Sequence, residues 1–361
     1  MAQRPPHVAL LGAGWIAQAH AAATRQNGYE LIAVASRSAA RTAEQAAALS
    51  APAATYAELP GEADVVVVAT PPQCHADDAI RMLQAGAAVL LEKPLCTTLA
   101  DADRLVTTAR AHGNRLLYAE NLAYSPVVLE LLSRTPLLGP LTHLEVRAQQ
   151  GLPTWGAFTT DEWGGGALFD LGAHPLSIAM LVANAAGAGR PTSVSARLRG
   201  GVGHNSDEHA DVELTYSTGL VAKVVSSWQA GPEAQWDAQV ASASGVLRAE
   251  LVPTPSLEHN GDPLALPQPT TTPAEIEQFG YLGQLRALVD DTAARRNPAM
   301  SASFGRAVLD ATCAAYWSAG RGGAPVALPF AGPRDLTPLQ LWHVASAPTA
   351  KDAAGPDAGR E

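Results

Sequence analysis

The chain has 361 residues, 47% of them hydrophobic, and a formal net charge of -10 from 34 acidic and 24 basic side chains. That length suits two domains with a core each, and the negative balance excludes a broad surface for nucleic acid or anionic membrane while leaving room for a local basic pocket that takes a phosphate. Cys74, Cys96 and Cys313 lie far apart with no C-x-x-C spacing, so neither a zinc ribbon nor a disulfide framework is expected.

In chain order, MAQRPP runs directly into HVALLGAG, too short a lead for a signal segment, and no apolar run reaches membrane-span length; a cytoplasmic protein in a reducing compartment is expected. From residue 7 to about 120, the apolar runs HVALLG, ELIAVAS, DVVVVAT, AAVLLEK and RLLYAE alternate with helical stretches near 15–26, 39–49, 75–85, 99–112 and, past the fifth strand, 125–133. This is the pattern of repeated βαβ units, and continuous rather than alternating apolar strands predict a doubly wound parallel sheet covered on both faces. After about residue 135, LTHLEVRAQQ, PTSVSARLRG, HADVELTYS and GLVAKVVSSWQ alternate apolar and polar positions, which predicts a mostly antiparallel sheet. The Pro- and Thr-rich stretch 251–275 reads as a loop or edge excursion, EIEQFGYLGQLRALVDD as one amphipathic helix, and TAKDAAGPDAGRE as a disordered tail. The expected division is a dinucleotide-binding domain over 1–121, an α+β domain over 122–346 and a tail over 347–361.

Gly12, Gly14 and Ala17 form G-x-G-x-x-A between the first strand and its helix. Gly12 suits a tight turn, Gly14 a close approach to pyrophosphate and Ala17 close helix packing, with Trp15 and Ile16 bordering the phosphates at the helix start. An acidic residue that would bind the ribose 2'-hydroxyl of NAD is missing after the second strand. Ser36 and Arg37 stand there, with Arg41 a turn later, which favours the 2'-phosphate of NADP over NAD; the alternative is that the serines cap the next helix and Arg37 is solvated. Thr70 and Pro71 close the third strand on the same side. His75 is counted with them, although starting the next helix is its simpler role.

Glu92 and Lys93, also counted among the cofactor contacts, end the fourth strand before Pro94. A lysine placed there can stabilise negative charge on a substrate oxygen, or it can reach for solvent as most lysines do. Further on, Gly164, Gly165 and Gly166 precede Asp170 and His174, a spacing that puts both on one helix face. An acid/base pair, two metal ligands or an ordinary helix all fit that spacing. No third and fourth ligand are evident, and HNSDEH at 204–209 reads as a polar turn before a strand, so no metal is expected.

The ordered set G12-A-G14-W-I-A17, E92-K93-P94 and the glycine run with D170-L-G-A-H174 resembles the Gfo/Idh/MocA family of oxidoreductases over nearly the whole chain. The resemblance implies a Rossmann domain followed by a domain with a large open sheet that often serves as a subunit interface, so a homo-oligomer, dimer or tetramer, is expected. It implies hydride transfer between nicotinamide and a secondary alcohol or ketone of a sugar, inositol or related polyol. Carried over by motif, it makes Lys93, Asp170 and His174 the catalytic set. His174 suits the acid/base role, Lys93 polarises the reacting oxygen, and Asp170 either orients the imidazole or binds a neighbouring hydroxyl. The glycines would then pass close to substrate or nicotinamide.

Where many relatives carry an arginine before the proline of the segment after the fifth strand, this chain has Tyr124 and Ser125, which weakens the case for a phosphorylated or acidic sugar. Asn121 and Tyr124 are candidate substrate contacts, as are Trp155 and Trp163, with local packing the alternative for each. Two other functions stay open: reduction of dihydrodiols or dicarbonyls, and a non-catalytic dinucleotide-sensing role.

Overall fold

The computed structural model describes residues 4–231 and 233–347; the expected tail, from residue 348 on, lies outside them. The first five strands, β1 (His7–Leu11), β2 (Glu30–Ala35), β3 (Val65–Val68), β4 (Ala88–Glu92) and β5 (Leu116–Ala119), form a parallel sheet in the order β2-β1-β3-β4-β5. Runs such as Val65–Val68 are wholly buried because helices cover both faces. The intervening helices are α1 (Ala17–Gln26), α2 (Ala39–Ala48), α3 (His75–Gln84) and α4 (Leu99–Ala111), with α5 (Pro126–Arg134) following β5. Strand order reverses at β1, so the crevice at the carboxyl ends of β1 and β3 is where such a sheet receives a ligand.

The chain continues through β6 (Leu141–Gln149), α6 (Ala167–Asp170), α7 (Ala173–Ala185), β7 (Pro191–Gly200), β8 (Asp207–Tyr216), β9 (Val221–Ser227), β10 (Gln235–Ser242) and β11 (Gly245–Val252). The edge strands β12 (Ser256–His259) and β13 (Asp262–Pro263) occupy part of the stretch read as a loop or edge excursion. Then come α8 (Glu275–Gln278), α9 (Tyr281–Ala294), α10 (Ala302–Gly320), β14 (Val326–Ala327) and α11 (Pro338–Ser346). The nine-stranded sheet runs β13-β12-β11-β10-β6-β9-β8-β7-β14 and is antiparallel except for the β6–β9 pair. Helices α5, α6, α7 and α10 pack on one face, while Arg147, Asp211, Glu213 and Lys223 are exposed.

The single helix expected over 275–291 is two. Gly280, at φ +80, turns the chain between α8 and α9, and a Cβ there would lie 2.0 Å from the Asn121 carbonyl oxygen. That turn lets α9 lie back on α1, β4 and β5, so a late segment helps to cover the first sheet. No helix among the described residues is long and apolar enough to cross a membrane.

Candidate active site

The glycine turn after β1 is built as its spacing predicts. Gly12, at φ +137, brings the backbone so close to β3 that a Cβ would sit 2.2 Å from the Ala69 carbonyl oxygen, and its N–H donates to Ala35 O at 2.9 Å. A Cβ on Gly14, by contrast, would meet nothing within 4 Å, so this backbone faces the open space a dinucleotide phosphate needs. Trp15 and Ile16 precede α1, which starts at Ala17, and Trp15 is 58% exposed. These features fit a bound nicotinamide dinucleotide.

At the end of β2, the Ser36 hydroxyl is shared with Thr42 Oγ1 and the Ser38 carbonyl, 2.9 Å from each. Ser38 caps α2. Arg37 pairs with the buried Asp78 through two bonds of 2.7 and 3.1 Å, and its guanidinium lies 4.8 Å from the centre of the Tyr56 ring. Asp78 also accepts from Tyr56 and Thr70, which ties the ends of β2 and β3 together. Partial burial disfavours the charge on Arg37, but Asp78 outweighs it and raises its pKa. Arg41 is exposed one turn on. His75 begins α3 and turns inward: its Nδ1 and Nε2 lie 2.8 and 2.7 Å from the carbonyls of Pro94 and Thr70. Burial lowers its pKa, so this ring braces two strand ends and, contrary to its inclusion among the cofactor contacts, is taken up within the protein.

Glu92 is buried at the end of β4. One of its oxygens lies 2.8 Å from His20 Nε2, on α1, and the other accepts the Lys93 N–H at 3.0 Å, so the carboxylate holds the turn that presents Lys93. Burial alone would push the Glu92 carboxyl up; the His20 bond and the Lys93 charge bring it below its usual value. Lys93 Nζ donates to Asp170 Oδ1 at 2.8 Å. Burial works against its charge, yet Asp170, Glu92 and Glu120 together raise its pKa, so the ammonium stays charged at neutral pH.

Asp170 and His174 do not share one helix face. Asp170 ends α6, His174 lies in the first turn of α7, and Leu171 and Gly172 join the two. Nor does Asp170 orient the imidazole: it is engaged by Lys93. The partner of His174 is Glu120, buried at the end of β5, with Oε1 2.7 Å from Nδ1. A carboxylate on Nδ1 makes that nitrogen the donor and leaves Nε2, which makes no hydrogen bond among the described residues, as the lone-pair side. Trp236 packs beside the ring, 4.9 Å between centres.

The glycine run owes its small residues to protein neighbours. A Cβ on Gly166 would lie 2.1 Å from Asp207 O, and one on Gly165 2.8 Å from Phe169 Cβ and 2.9 Å from the Tyr316 hydroxyl. Asp207, at the start of β8 within the stretch read as a polar turn, accepts from Leu168 N at 2.8 Å and from the Tyr316 hydroxyl; that hydroxyl in turn accepts from Gly166 N at 3.1 Å. Burial raises the pKa of both Asp207 and Tyr316.

Asn121 donates to the Phe279 carbonyl at 2.7 Å, and Tyr124 lies against Gly280 and Gly283, so both pack the approach of α9. Trp163 stacks edge-on to Phe158 at 4.9 Å, and Trp155 meets Trp15 edge-on at 5.7 Å. Glu120, His20, Asp207 and Tyr316 were missed in the sequence. Only Glu120 carried a signal, a carboxylate at the end of a buried parallel strand. No three His, Cys, Asp or Glu side chains among the described residues converge as metal ligands.

Residues 7–120 match the oxidoreductase family with NAD-binding Rossmann fold, and residues 132–248 match the GFO/IDH/MocA C-terminal domain. The chain belongs to the Gfo/Idh/MocA oxidoreductase family. It is 34% identical over 196 residues to D-glucoside 3-dehydrogenase of Escherichia coli, covering 50% of this chain and 55% of that one. It is 27% identical over 180 residues to scyllo-inositol 2-dehydrogenase (NADP(+)) of Bacillus subtilis, 46% of this chain and 55% of that one. The chain thus spans about half the length of these relatives. The crystal structure of GenD2 from gentamicin A biosynthesis, in complex with NAD, shares the fold at a TM-score of 0.79 and 24% identity, over 91% of this chain and 97% of that one. NAD is thus bound in one protein of the same fold, and NADP is named for one relative.

Proposed function

We propose that this protein is an NAD(P)-dependent dehydrogenase that oxidises a secondary hydroxyl of a sugar, glycoside or related polyol. The observation that carries this reading is the pairing at neighbouring strand ends: Lys93, charged and fixed on Asp170 after β4, and His174, oriented by Glu120 after β5. A dinucleotide held by the glycine turn would supply the hydride acceptor for the carbinol carbon. His174 Nε2 takes the hydroxyl proton, and Glu120 stabilises the imidazolium that results. Lys93, whose pKa is raised, acts as a fixed positive charge beside the oxygen as negative charge develops there. Asp170 keeps that ammonium in place.

Gly12, Gly14, Trp15 and Ile16 would hold the dinucleotide. NADP is the proposed preference, because the residues that follow β2 include no carboxylate to meet a ribose 2'-hydroxyl and the one that reaches this strand end, Asp78, is buried and taken up by Arg37, Tyr56 and Thr70, whereas Arg37 is fixed there with Arg41 one turn on. A homo-oligomer through the open face of the nine-stranded sheet belongs to the same reading, and sedimentation tests it. The likeness to D-glucoside 3-dehydrogenase makes a simple glucoside the first substrate to try. Turnover of methyl glucoside, inositols and aldoses should be followed by NAD(P)H absorbance with wild type and with Lys93→Met. A drop of about 10²–10³-fold in the variant, with cofactor binding retained, is expected; unchanged turnover would falsify the assignment of Lys93.

A further inference from the structure

Three of the exposed large apolar side chains lie on two segments that meet at a tryptophan pair. Trp15 in the cofactor turn, with Leu152 and Trp155 in the irregular segment that follows β6, are 58%, 48% and 42% exposed, and the two tryptophans touch edge to face. Aromatic side chains continue inward from this lip: the Trp163 ring fills the space beside Gly156, Trp163 packs on Phe158, and Phe158 lies 6.0 Å from Lys93 Nζ. A chain of aromatic contacts thus links the Trp155 segment to the Lys93 ammonium.

Its charge is as distinctive as its apolarity. Residues 150–166 include no lysine or arginine but do include Asp161 and Glu162. Deeper in, Lys93 is paired with Asp170, and Glu92 and Glu120 add two further carboxylates. Nothing among these residues offers a spare cation to a phosphate, and a substrate bearing one would meet carboxylates. Indole side chains exposed beside such a site suit a flat apolar group instead, since aromatic pairs gain from stacking as well as from burial.

From this we infer, on the basis of the dehydrogenase reading above, that the substrate is an uncharged glycoside whose apolar or aromatic aglycone rests on Trp155, beside the cofactor turn that carries Trp15, while its sugar ring faces Lys93 and His174. A nucleotide sugar or sugar phosphate is the class this site rejects.

The test is calorimetric, on protein saturated with reduced cofactor so that no oxidation follows. Phenyl β-D-glucoside, methyl β-D-glucoside and UDP-glucose are titrated into wild type, Trp155→Ala and Trp155→Phe. Phenyl glucoside is expected to bind about tenfold more tightly than methyl glucoside, and UDP-glucose more weakly than either. Trp155→Ala should bring the phenyl-to-methyl ratio close to one and Trp155→Phe should restore most of it. Equal binding of the two glucosides, a ratio that survives Trp155→Ala, or tighter binding of UDP-glucose overturns the inference while leaving a sugar dehydrogenase intact. If neither glucoside binds or turns over, the inference and the glycoside reading fall together.

Discussion

The Lys93 turn and the segment from Gly164 to His174 meet at one ion pair, yet they are held in different ways. Lys93 is presented by a buried parallel strand, and the carboxylate that steadies its turn is the preceding residue, Glu92, braced by His20 from α1. The second segment has no such local frame. Gly166 and Leu168 hang on Tyr316 and Asp207, 150 and 39 residues away, and His174 on Glu120, 54 residues back. Apart from its ion pair with Asp170, the Lys93 turn is thus held within the first sheet and its helices, whereas the second segment draws on the first sheet through Glu120 and on β8 and α10 through Asp207 and Tyr316. The second segment should be the easier to disturb from afar.

Glu120→Gln is the largest disturbance expected within the second segment. An amide at this position can no longer stabilise imidazolium or hold Nδ1 as the donor through charge, so turnover should fall by about 100-fold or more. Cofactor affinity, set on the other side of the crevice, should change little. Stopped-flow single-turnover rates alongside NADPH titration check both halves of this expectation, and a rate within a few-fold of wild type would return His174 to a packing role.

This contrast also explains what could be read from the sequence. The parallel sheet, the glycine turn and Lys93 follow from short-range rules, because strand runs, turn glycines and a strand-end lysine are contiguous in the chain. The four-residue spacing of Asp170 and His174 suggested a shared helix face, and Leu171 and Gly172 broke it. Asp207 looked like part of a polar turn because its partners, Leu168 and Tyr316, are 39 and 109 residues away and meet it only where α6 and α10 pack on the second sheet. Similarly, the three glycines signalled a close approach without saying to what. The neighbours are Asp207, Phe169 and Tyr316.

Stability should separate the two segments next. Tyr316→Phe leaves the buried Gly166 N–H and one Asp207 oxygen without this hydroxyl, a loss of about 1–3 kcal/mol in urea unfolding. The pH dependence should have opposite signs at the two carboxylates. The pKa of Glu92 is lowered in the fold, so its contribution is present above about 4.3, the unfolded value, and is lost as pH falls through the folded value below that. Asp207 is raised by burial, so its ionised form weakens the fold, and that penalty is relieved as pH falls from above its folded value toward about 3.9. Compared with wild type, Glu92→Gln should flatten the loss of stability in acid, and Asp207→Asn should steepen it. Parallel behaviour of the two variants would show that their surroundings do not differ in this way.

The smallest effect belongs to the cofactor end of the first segment, where charge is partly spent inside the protein. Arg37 gives two of its bonds to Asp78, so its pull on a 2'-phosphate is shared with a carboxylate, while Arg41 is exposed and screened by solvent. Replacing Arg41 by alanine should therefore weaken NADPH by only a few-fold. Arg37→Ala should weaken it by about tenfold, or 1.4 kcal/mol, and NADH should shift by less than twofold in either variant. If NADH weakens as much as NADPH in Arg37→Ala, the Arg37–Asp78 pair serves to brace β2 against β3 through Thr70, and selection of the 2'-phosphate must rest elsewhere.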